Sequence, residues 1–281
     1  MELCRIATIK EILEKHGLRM QKSLGQNFLI DPTVPRRIAE TVGNADTVLE
    51  IGPGIGCLTA ELCLRVPRVV AVEIDRGLIP VLSETLSGFD NFSVINEDIL
   101  KVELPELLHG AGRVEVCANL PYYITTPILL HLMESGFPFD AITVMVQSEV
   151  AARLAAAPGS ADYGAVSVAV QAYGTVRRIL SVPASSFYPA PKVDSAVIRI
   201  ERFTEPSFVP VSQEKYRALV RAAFAQRRKK LANALTAALP EYTKEKVEHS
   251  LAALGVSADI RGERLSPKQF SELLFLLETE S

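Results

Sequence analysis

One short stretch of the sequence combines residue types suited to chemistry on a nucleobase: Asn119-Leu120-Pro121-Tyr122-Tyr123. An exocyclic base amine is a poor nucleophile, because its lone pair is delocalised into the ring. Two acceptors aimed at its hydrogens, the Asn119 side-chain oxygen and the Leu120 carbonyl, would favour a pyramidal nitrogen with a directed lone pair. Pro121 stiffens the turn, and the Tyr122 ring offers a flat face for a base to stack on. The stretch therefore favours methylation of a base amine over its alternative, an ordinary strand-to-helix turn capped by Asn119.

The residues around this stretch predict its place in the fold. Apolar residues Val114, Val116 and Cys117 precede it and predict a buried strand, and Thr125-Thr126-Pro127 after it opens a helix. Open α/β sheets bind ligands at the carboxyl ends of their parallel strands. The stretch is thus expected at a ligand-binding edge of a sheet.

A second unit upstream predicts a nucleotide or nucleoside site. Thr47–Ile51 is expected to be a strand, the glycines of Gly52-Pro53-Gly54-Ile55-Gly56 form a tight turn before a helix, and a second strand ends at Glu73. Glycines let the backbone approach a ligand, and an acid about 20 positions on can bind both ribose hydroxyls. A dinucleotide fingerprint would place its third glycine where this chain has Cys57. The observed spacing, with Glu50 two residues before the turn, fits S-adenosyl-L-methionine better.

A third predicted strand, Phe92–Ile95, leads to Asp98 and Ile99. An acid just past a strand end can accept from an adenine amine, while Ile99 packs on the ring. The alternative for Asp98 is a helix N-cap, and the residue alone does not decide between them.

Two loops are candidates for walls of the site. Residues 22–29 form a polar, glycine-containing loop, and Phe187-Tyr188-Pro189-Ala190-Pro191-Lys192-Val193-Asp194-Ser195 is a stiff, exposed loop with prolines at alternate positions. A plain connector and a rigid linker are their respective alternatives.

The composition predicts one large and one small domain. The chain has 281 residues, of which 48% are hydrophobic, and it can bury a large core. Strand patterns run to about Phe203, a proline-containing linker follows, and the remaining pattern is helical. We expect an α/β domain over residues 1–204 with a mostly parallel, seven-stranded sheet, and a helical domain over 205–281.

Several classes of protein are excluded by residue usage. The four cysteines show no CxxC pair and the four histidines no ligand spacing, so no metal site is expected. The first ten residues lack the core of a signal peptide, and no apolar run is long enough to span a bilayer. A cytoplasmic protein without a membrane partner is expected.

The charge distribution confines any nucleic-acid contact to a local surface. The net charge is −3, but from Glu205 onwards 12 Lys and Arg face 10 Asp and Glu. Five basic residues fall close together in this half, and such a run can follow a phosphate backbone: Arg221, Arg227, Arg228, Lys229 and Lys230. A solvated helix face is the alternative.

Taken in order, these motifs resemble the ribosomal RNA adenine dimethyltransferase family, in its small-subunit (16S) branch, which forms N6,N6-dimethyladenosine. The resemblance runs from about Lys22 to Leu235. It rests on the following motifs: Lys22-Ser23-Leu24-Gly25-Gln26-Asn27-Phe28-Leu29, Glu50 to Gly56, Glu73, Asp98, Asn119 to Tyr123, Phe187 to Ser195, and Phe224-Ala225-Gln226-Arg227-Arg228-Lys229. One departure is Gly262, which stands where proline is common in the family.

The resemblance implies a Rossmann-like class I methyltransferase fold that uses S-adenosyl-L-methionine. It implies that Asn27 and Leu29 close over the methionine side of the cofactor, with Gly52 beneath. It also implies Glu73 on the ribose, Asp98 on the cofactor adenine and Asn119 between cofactor and target amine. Tyr122 and Phe187 would stack on the flipped target base.

The implied substrate is two adjacent adenosines in a loop near the 3′ end of 16S rRNA, within the small ribosomal subunit or its precursor. Three alternatives remain at this point: a 23S rRNA adenine methyltransferase of the antibiotic-resistance type, a non-catalytic ribosome-assembly or transcription factor on the same fold, and an NAD-dependent dehydrogenase. The dehydrogenase fits least, because the glycine spacing is wrong and residues 119–123 would have no role in it.

Overall fold

The computed structural model describes residues 2–21, 24–203, 212–226 and 228–279. Packing divides the chain into two compact units. The first comprises Met1–Ala151 and Arg177–Arg202, and the second comprises Ala152–Val176 and Phe203–Ser281. Each unit has its own hydrophobic core, so each is described separately.

The first unit is built on a seven-stranded sheet. Its strands are β2 (Thr47–Ile51), β3 (Arg68–Glu73), β4 (Phe92–Asn96), β5 (Val114–Asn119), β6 (Ala141–Gln147), β7 (Gly174–Val182) and β9 (Ser195–Arg202), in the order β4-β3-β2-β5-β6-β9-β7. β2 pairs in parallel with β3 and β5, β3 with β4, and β5 with β6, whereas β9 is antiparallel to β6. The expected mostly parallel, seven-stranded sheet is confirmed.

Helices cover the sheet because its central strands are apolar on both faces. All five residues of β2 are buried, which is the pattern of a parallel strand packed between helical layers. The helices of this part of the chain are α1 (Ile6–Lys15), α2 (Thr33–Ala39), α3 (Cys57–Cys63), α4 (Leu78–Thr85), α5 (Leu104–Leu107), α6 (Thr125–Glu134) and α7 (Ser148–Leu154). Short 3-10 helices occupy Ile99–Lys101 and Ala184–Ser186.

A separate two-stranded sheet joins the loops that precede α2 and β9. β1 (Phe28–Leu29) pairs antiparallel with β8 (Phe187–Tyr188), so that Phe28 lies opposite Tyr188 and Leu29 opposite Phe187. The sequence predicts both segments as loops, since two residues carry no periodic pattern. The prediction of an exposed loop over residues 187–195 is therefore wrong at its first residue, because Phe187 is only 3% exposed.

A buried ion pair ties β5 to β9 through the sheet. Arg199 donates from Nη1 to Glu115 Oε2 at 2.8 Å and to the Thr143 hydroxyl at 3.0 Å. The other Glu115 oxygen accepts the Gly43 backbone N–H at 3.0 Å. Each charge is thus matched by more than one hydrogen bond, as a buried pair requires.

The second unit is helical. Its helices are α8 (Ala165–Tyr173), α9 (Gln213–Ala225), α10 (Leu231–Ala238), α11 (Lys244–Ala253) and α12 (Pro267–Thr279), with a 3-10 helix at Gly262–Arg264. Tyr163 is fully buried in this core, and its hydroxyl donates to the Leu265 carbonyl at 2.9 Å. Gly262 packs against α9 so closely that a Cβ would lie 2.9 Å from the Ala223 carbonyl oxygen.

The predicted division at 204–205 differs from this packing in one segment. Residues 152–176 fall in the predicted first domain, yet α8 packs on α9 and α12 of the helical unit. The reason is the apolar face of α8, where Val168 joins the core that contains Leu219 and Phe270. The linker predicted at residues 204–210 lies outside the described residues.

Two further observations concern membranes and metals. No helix in the part of the chain that the structure describes is both long and apolar enough to cross a bilayer. Across residues 2–21, 24–203, 212–226 and 228–279, the side chains of His, Cys, Asp and Glu form no group of three or more that could share a metal ion.

Candidate active site

The turn after β2 presents the backbone of two glycines to an open cleft. Gly52 and Gly54 have φ of +67° and +62°, a region that favours glycine. A Cβ built on Gly52 would meet no atom within 4 Å, so open space lies above this residue. Gly52 is anchored from behind, because its N–H donates to the Val72 carbonyl at 2.9 Å. The turn is a rigid surface against which a ligand can pack closely.

Glu73 ends β3 beside this turn. Its carboxylate accepts the backbone N–H of Gly54 at 3.3 Å on Oε2 and that of Asp75 at 2.8 Å on Oε1. Only 5% of the residue is exposed, and this burial raises the pKa of its carboxyl group. The carboxylate is held at the strand end, where β3 and β2 open onto the cleft.

Glu50 also lines the cleft, one residue before the end of β2. It is 1% exposed, and burial, with the neighbouring Glu73 charge, raises the pKa of Glu50 to about 8. Its Oε2 atom has no hydrogen-bond partner among the described residues. An unpaired buried carboxyl is costly to ionise, so a positively charged ligand in the cleft would stabilise its charged form.

The stretch Asn119–Tyr123 begins at the last residue of β5. Asn119 is the last strand residue, and its Nδ2 donates to the Asn27 carbonyl at 3.4 Å. The Leu120 N–H donates to the Met145 carbonyl at 3.2 Å, and the Pro121 carbonyl accepts from the Thr125 hydroxyl at 3.2 Å. The backbone is fixed on both sides of Asn119, whose side-chain oxygen is not used in the contact with Asn27.

Tyr122 follows with its ring held from its polar end. Its hydroxyl lies 2.6 Å from the Ser195 hydroxyl at the start of β9, and burial raises its pKa above the usual value. Tyr123, by contrast, is 60% exposed at the rim of the cleft. The two tyrosines therefore differ in environment, because the Tyr122 hydroxyl is hydrogen-bonded to β9 whereas most of the Tyr123 surface is open to solvent.

These elements enclose one cleft in the first unit, which is open to solvent at its mouth. Eight residues predicted for the site line it: Asn27, Leu29, Gly52, Gly54, Glu73, Asn119, Leu120 and Tyr122. The carboxyl ends of β2, β3 and β5 bring them together, as expected for an open α/β sheet.

Three predicted residues lie outside the lining of this cleft. Asp98 accepts the Leu100 N–H at 3.1 Å and so caps the 3-10 helix, which was the alternative for this residue. Ile99 is 6% exposed. Phe187 is buried opposite Leu29, where its ring is covered and not presented as a stacking surface.

The predicted RNA-binding residues belong to the helical unit. Arg221 is exposed on α9, and Arg228, Lys229 and Lys230 are exposed between α9 and α10. Lys230 forms an ion pair with Asp259. Arg227 lies outside the described residues.

Sequence reasoning missed two contributors to the site. Phe28 lines the cleft, with its ring 3.5 Å from the position of a Cβ on Gly54. Asp75 lies behind the cleft and bonds to two glutamines near residue 27. The sequence contains one indication that Asp75 contributes to the site, because Asp75 lies two residues after Glu73, where a strand is predicted to end.

Comparison with known proteins identifies the family. The family described as ribosomal RNA adenine dimethylase matches residues 17–276. The chain is 44% identical over 274 residues to the ribosomal RNA small subunit methyltransferase A of Shouchella clausii, covering 95% of this chain and 93% of the relative. It is 45% identical over 269 residues to that of Alkaliphilus metalliredigens, covering 94% of each.

Two solved structures share the fold over most of the chain. A dimethyladenosine transferase from Plasmodium falciparum is 25% identical with a TM-score of 0.77, covering 88% of this chain and 96% of that one. The 23S rRNA methyltransferase ErmE is 31% identical with a TM-score of 0.68, covering 90% of this chain and 100% of that one. The sheet is thus of the Rossmann-like, class I methyltransferase type, and the chain belongs to the ribosomal RNA adenine dimethylase family.

Proposed function

We propose that the cleft binds S-adenosyl-L-methionine and that the protein transfers its methyl group to N6 of adenosine in ribosomal RNA. The observation that carries this proposal is the meeting of the glycine turn, the Glu73 carboxylate and Asn119 at three neighbouring strand ends. Glu73 would accept from the ribose hydroxyls, and the bare turn at Gly52 would face the methionine portion. Asn27 and Leu29 would cover it from the other side.

The residues present fit this cofactor in charge as well as shape. S-adenosyl-L-methionine carries a sulfonium and an ammonium, and the cleft contains two buried carboxyl groups, Glu50 and Glu73. Oε2 of Glu50 lacks a partner within the described residues, so a cation would compensate a charge that is otherwise unpaired. A pyrophosphate, which is negative, would offer no such compensation, and the dehydrogenase alternative therefore fits the cleft less well.

The residues at the end of β5 would activate the target amine. The cofactor supplies an electrophilic methyl group on a positive sulfur, so no strong general base is required. The Asn119 oxygen and the Leu120 carbonyl would accept the amine hydrogens and favour the pyramidal nitrogen, while Tyr122 stacks on the base. Positioning of the amine in line with the methyl group supplies most of the remaining rate, and the proton leaves to water after transfer.

The substrate we propose is two adjacent adenosines near the 3′ end of 16S rRNA, each methylated twice, within the small ribosomal subunit or its precursor. Support comes from relatives that are 44–45% identical over nearly the full chain and are named small-subunit methyltransferases. The 23S enzyme is more distant, at 31% identity.

A methylation assay on small-subunit particles from an unmethylated strain, read by primer extension, tests this substrate. We expect two adjacent stops near the 3′ end of 16S rRNA that depend on the protein and on S-adenosyl-L-methionine. Stops on 23S rRNA in a parallel assay with large-subunit particles would support the 23S alternative. Binding to particles without any stops would indicate an assembly factor.

Replacing Glu73 with Gln should weaken cofactor binding, because the amide is neutral and keeps only one of the two oxygens that accept backbone N–H groups. Glutamine keeps the shape but removes the charge that strengthens hydrogen bonds from the ribose, worth about 1.5–3 kcal/mol. Calorimetry with S-adenosyl-L-methionine measures the change, and circular dichroism checks folding. Unchanged affinity in the folded variant would remove Glu73 from the ribose site.

Reversing the charges of Arg228 and Lys229 should weaken RNA binding without changing cofactor affinity. Both side chains are exposed, and each lost phosphate contact should lower the log–log salt slope by roughly 0.7–0.9. The control is Lys244→Glu with Lys268→Glu, which changes the net charge equally at two exposed helical ion pairs. Equal RNA affinities for the two double variants would show that only net charge matters.

A further inference from the structure

Asp75 connects Glu73, at the end of β3, to residues 24–29, which line the cleft. Asp75 lies two residues past Glu73 and is 9% exposed. Its backbone N–H donates to Glu73 Oε1 at 2.8 Å, and its Oδ1 accepts the Gly77 N–H at 3.0 Å. Its carbonyl accepts the Leu78 N–H at 2.9 Å, where α4 begins. Asp75 is therefore fixed relative to both β3 and α4.

The second carboxylate oxygen of Asp75 accepts hydrogen bonds from two glutamines, one within residues 24–29 and one just before them. Oδ2 receives Gln26 Nε2 at 2.8 Å and Gln21 Nε2 at 3.1 Å. The Gln26 amide is used at its other end too, because its Oε1 accepts the Gln21 backbone N–H at 2.8 Å. Two residues five positions apart are thus joined to each other and to one buried carboxylate.

This connection continues into the site through Asn27. Gln26 directly precedes Asn27, whose carbonyl accepts Nδ2 of Asn119 at 3.4 Å. Residues 24–29 all line the cleft. This segment therefore both lines the cleft and accepts a hydrogen bond from the Asn119 amide.

We propose that Asp75 and Gln26 are positioning residues that hold residues 24–29 over the bound cofactor and orient Asn119. This inference rests on the proposed function of the cleft. Asp75 is not part of the cleft lining and acts through Gln26. Gln26 belongs to the lining, and it acts on Asn119 through the backbone of Asn27.

The two side chains allow a donor–acceptor exchange as a test. Gln26→Glu places a carboxylate oxygen against Asp75 Oδ2, where an N–H now donates, and the repulsion should lift the segment. We expect S-adenosyl-L-methionine to dissociate about tenfold faster or more, because a charge-assisted hydrogen bond becomes a repulsion. Adding Asp75→Asn lets the new NH2 group at position 75 donate one hydrogen to the carboxylate at position 26 and the other to the oxygen of the Gln21 amide, which turns over because it now faces a donor. The rate should return to within about threefold of the parent.

The measurements are the cofactor dissociation rate, by stopped-flow displacement, and amide hydrogen exchange of residues 24–30 in the cofactor-free protein. Exchange should rise in Gln26→Glu and fall again in the double variant. The matched control is Gln213→Glu, the same chemical change at an exposed position of α9. If Gln26→Glu acted through a general loss of stability, its unfolding midpoint would fall and would not recover in the double variant.

Failure of this inference and failure of the proposed function would give different results. If the parent binds S-adenosyl-L-methionine and Gln26→Glu matches it in dissociation rate and exchange, the positioning role is overturned. The same holds if the double variant is as impaired as Gln26→Glu or worse. If the parent does not bind the cofactor, the proposed function fails, and the exchange data alone then decide whether the two residues hold the segment.

Discussion

Asn119→Ala is expected to lose roughly 10²–10³ in the single-turnover rate of methylation, the range for a preorganised polar group. The Asn119 oxygen counts for more when the amine nitrogen becomes pyramidal than when it is flat, so its removal raises the barrier selectively. Affinity for S-adenosyl-L-methionine should fall much less, since the cleft wall formed by residues 52–54 and Glu73 is unchanged.

Single-turnover rates on small-subunit particles, with cofactor affinities measured in parallel, test this expectation. Tyr122→Ala provides the contrast, because lost stacking is worth about 1–3 kcal/mol and is distributed over RNA binding and base capture. Near-normal methylation by a folded Asn119→Ala protein would show that the reacting amine lies elsewhere.

Glu50→Gln is expected to remove a large part of the pH dependence of folding stability. Burial raises the pKa of Glu50 from 4.5 to about 8 in the folded, cofactor-free protein. Between these values the folded chain holds a proton that the unfolded chain has released. The contribution of Glu50 to the free energy of unfolding should therefore be greatest below pH 4.5 and should fall by about 3–5 kcal/mol as the pH rises to about 8.

Urea unfolding at several pH values between 5 and 9 measures the difference between parent and variant. Parent and variant must be compared because the pKa of Glu73 is raised as well. Glu73 therefore makes the free energy of unfolding fall with rising pH in both proteins. Cofactor binding should release a proton from Glu50 in the parent, and calorimetry in buffers of different ionisation enthalpy detects it. Identical pH slopes for parent and variant would contradict a buried, protonated Glu50.

Much of the fold follows from local patterns in the sequence. The strand predicted at Thr47–Ile51 has those bounds in the structure, and the predicted glycine turn and helix follow it, the helix over Cys57–Cys63. Such elements are predictable because an apolar run, a glycine turn and a helical period are properties of neighbouring residues. The residues at strand ends are then placed together by the topology of the sheet.

The features that the sequence does not predict depend on contacts between segments that are distant in the chain. Phe187 has the residue type for base stacking, but its pairing with Leu29 buries it, and no local pattern indicates that pairing. The assignment of residues 152–176 to the helical unit is likewise a matter of packing, since their helical pattern suits either unit. Asp75 resembles a solvated surface acid until Gln21 and Gln26 are placed beside it.

The pairing of β1 with β8 has a consequence for the order in which the site is assembled. Phe28 and Tyr188 are 160 positions apart in the chain, yet they are direct partners. Closing a loop of this length costs conformational entropy that a two-residue ladder cannot repay alone. The pair should therefore form after the parallel strands have brought its two ends close. During synthesis, the segment that covers the cleft cannot reach its final place until residue 188 has left the ribosome.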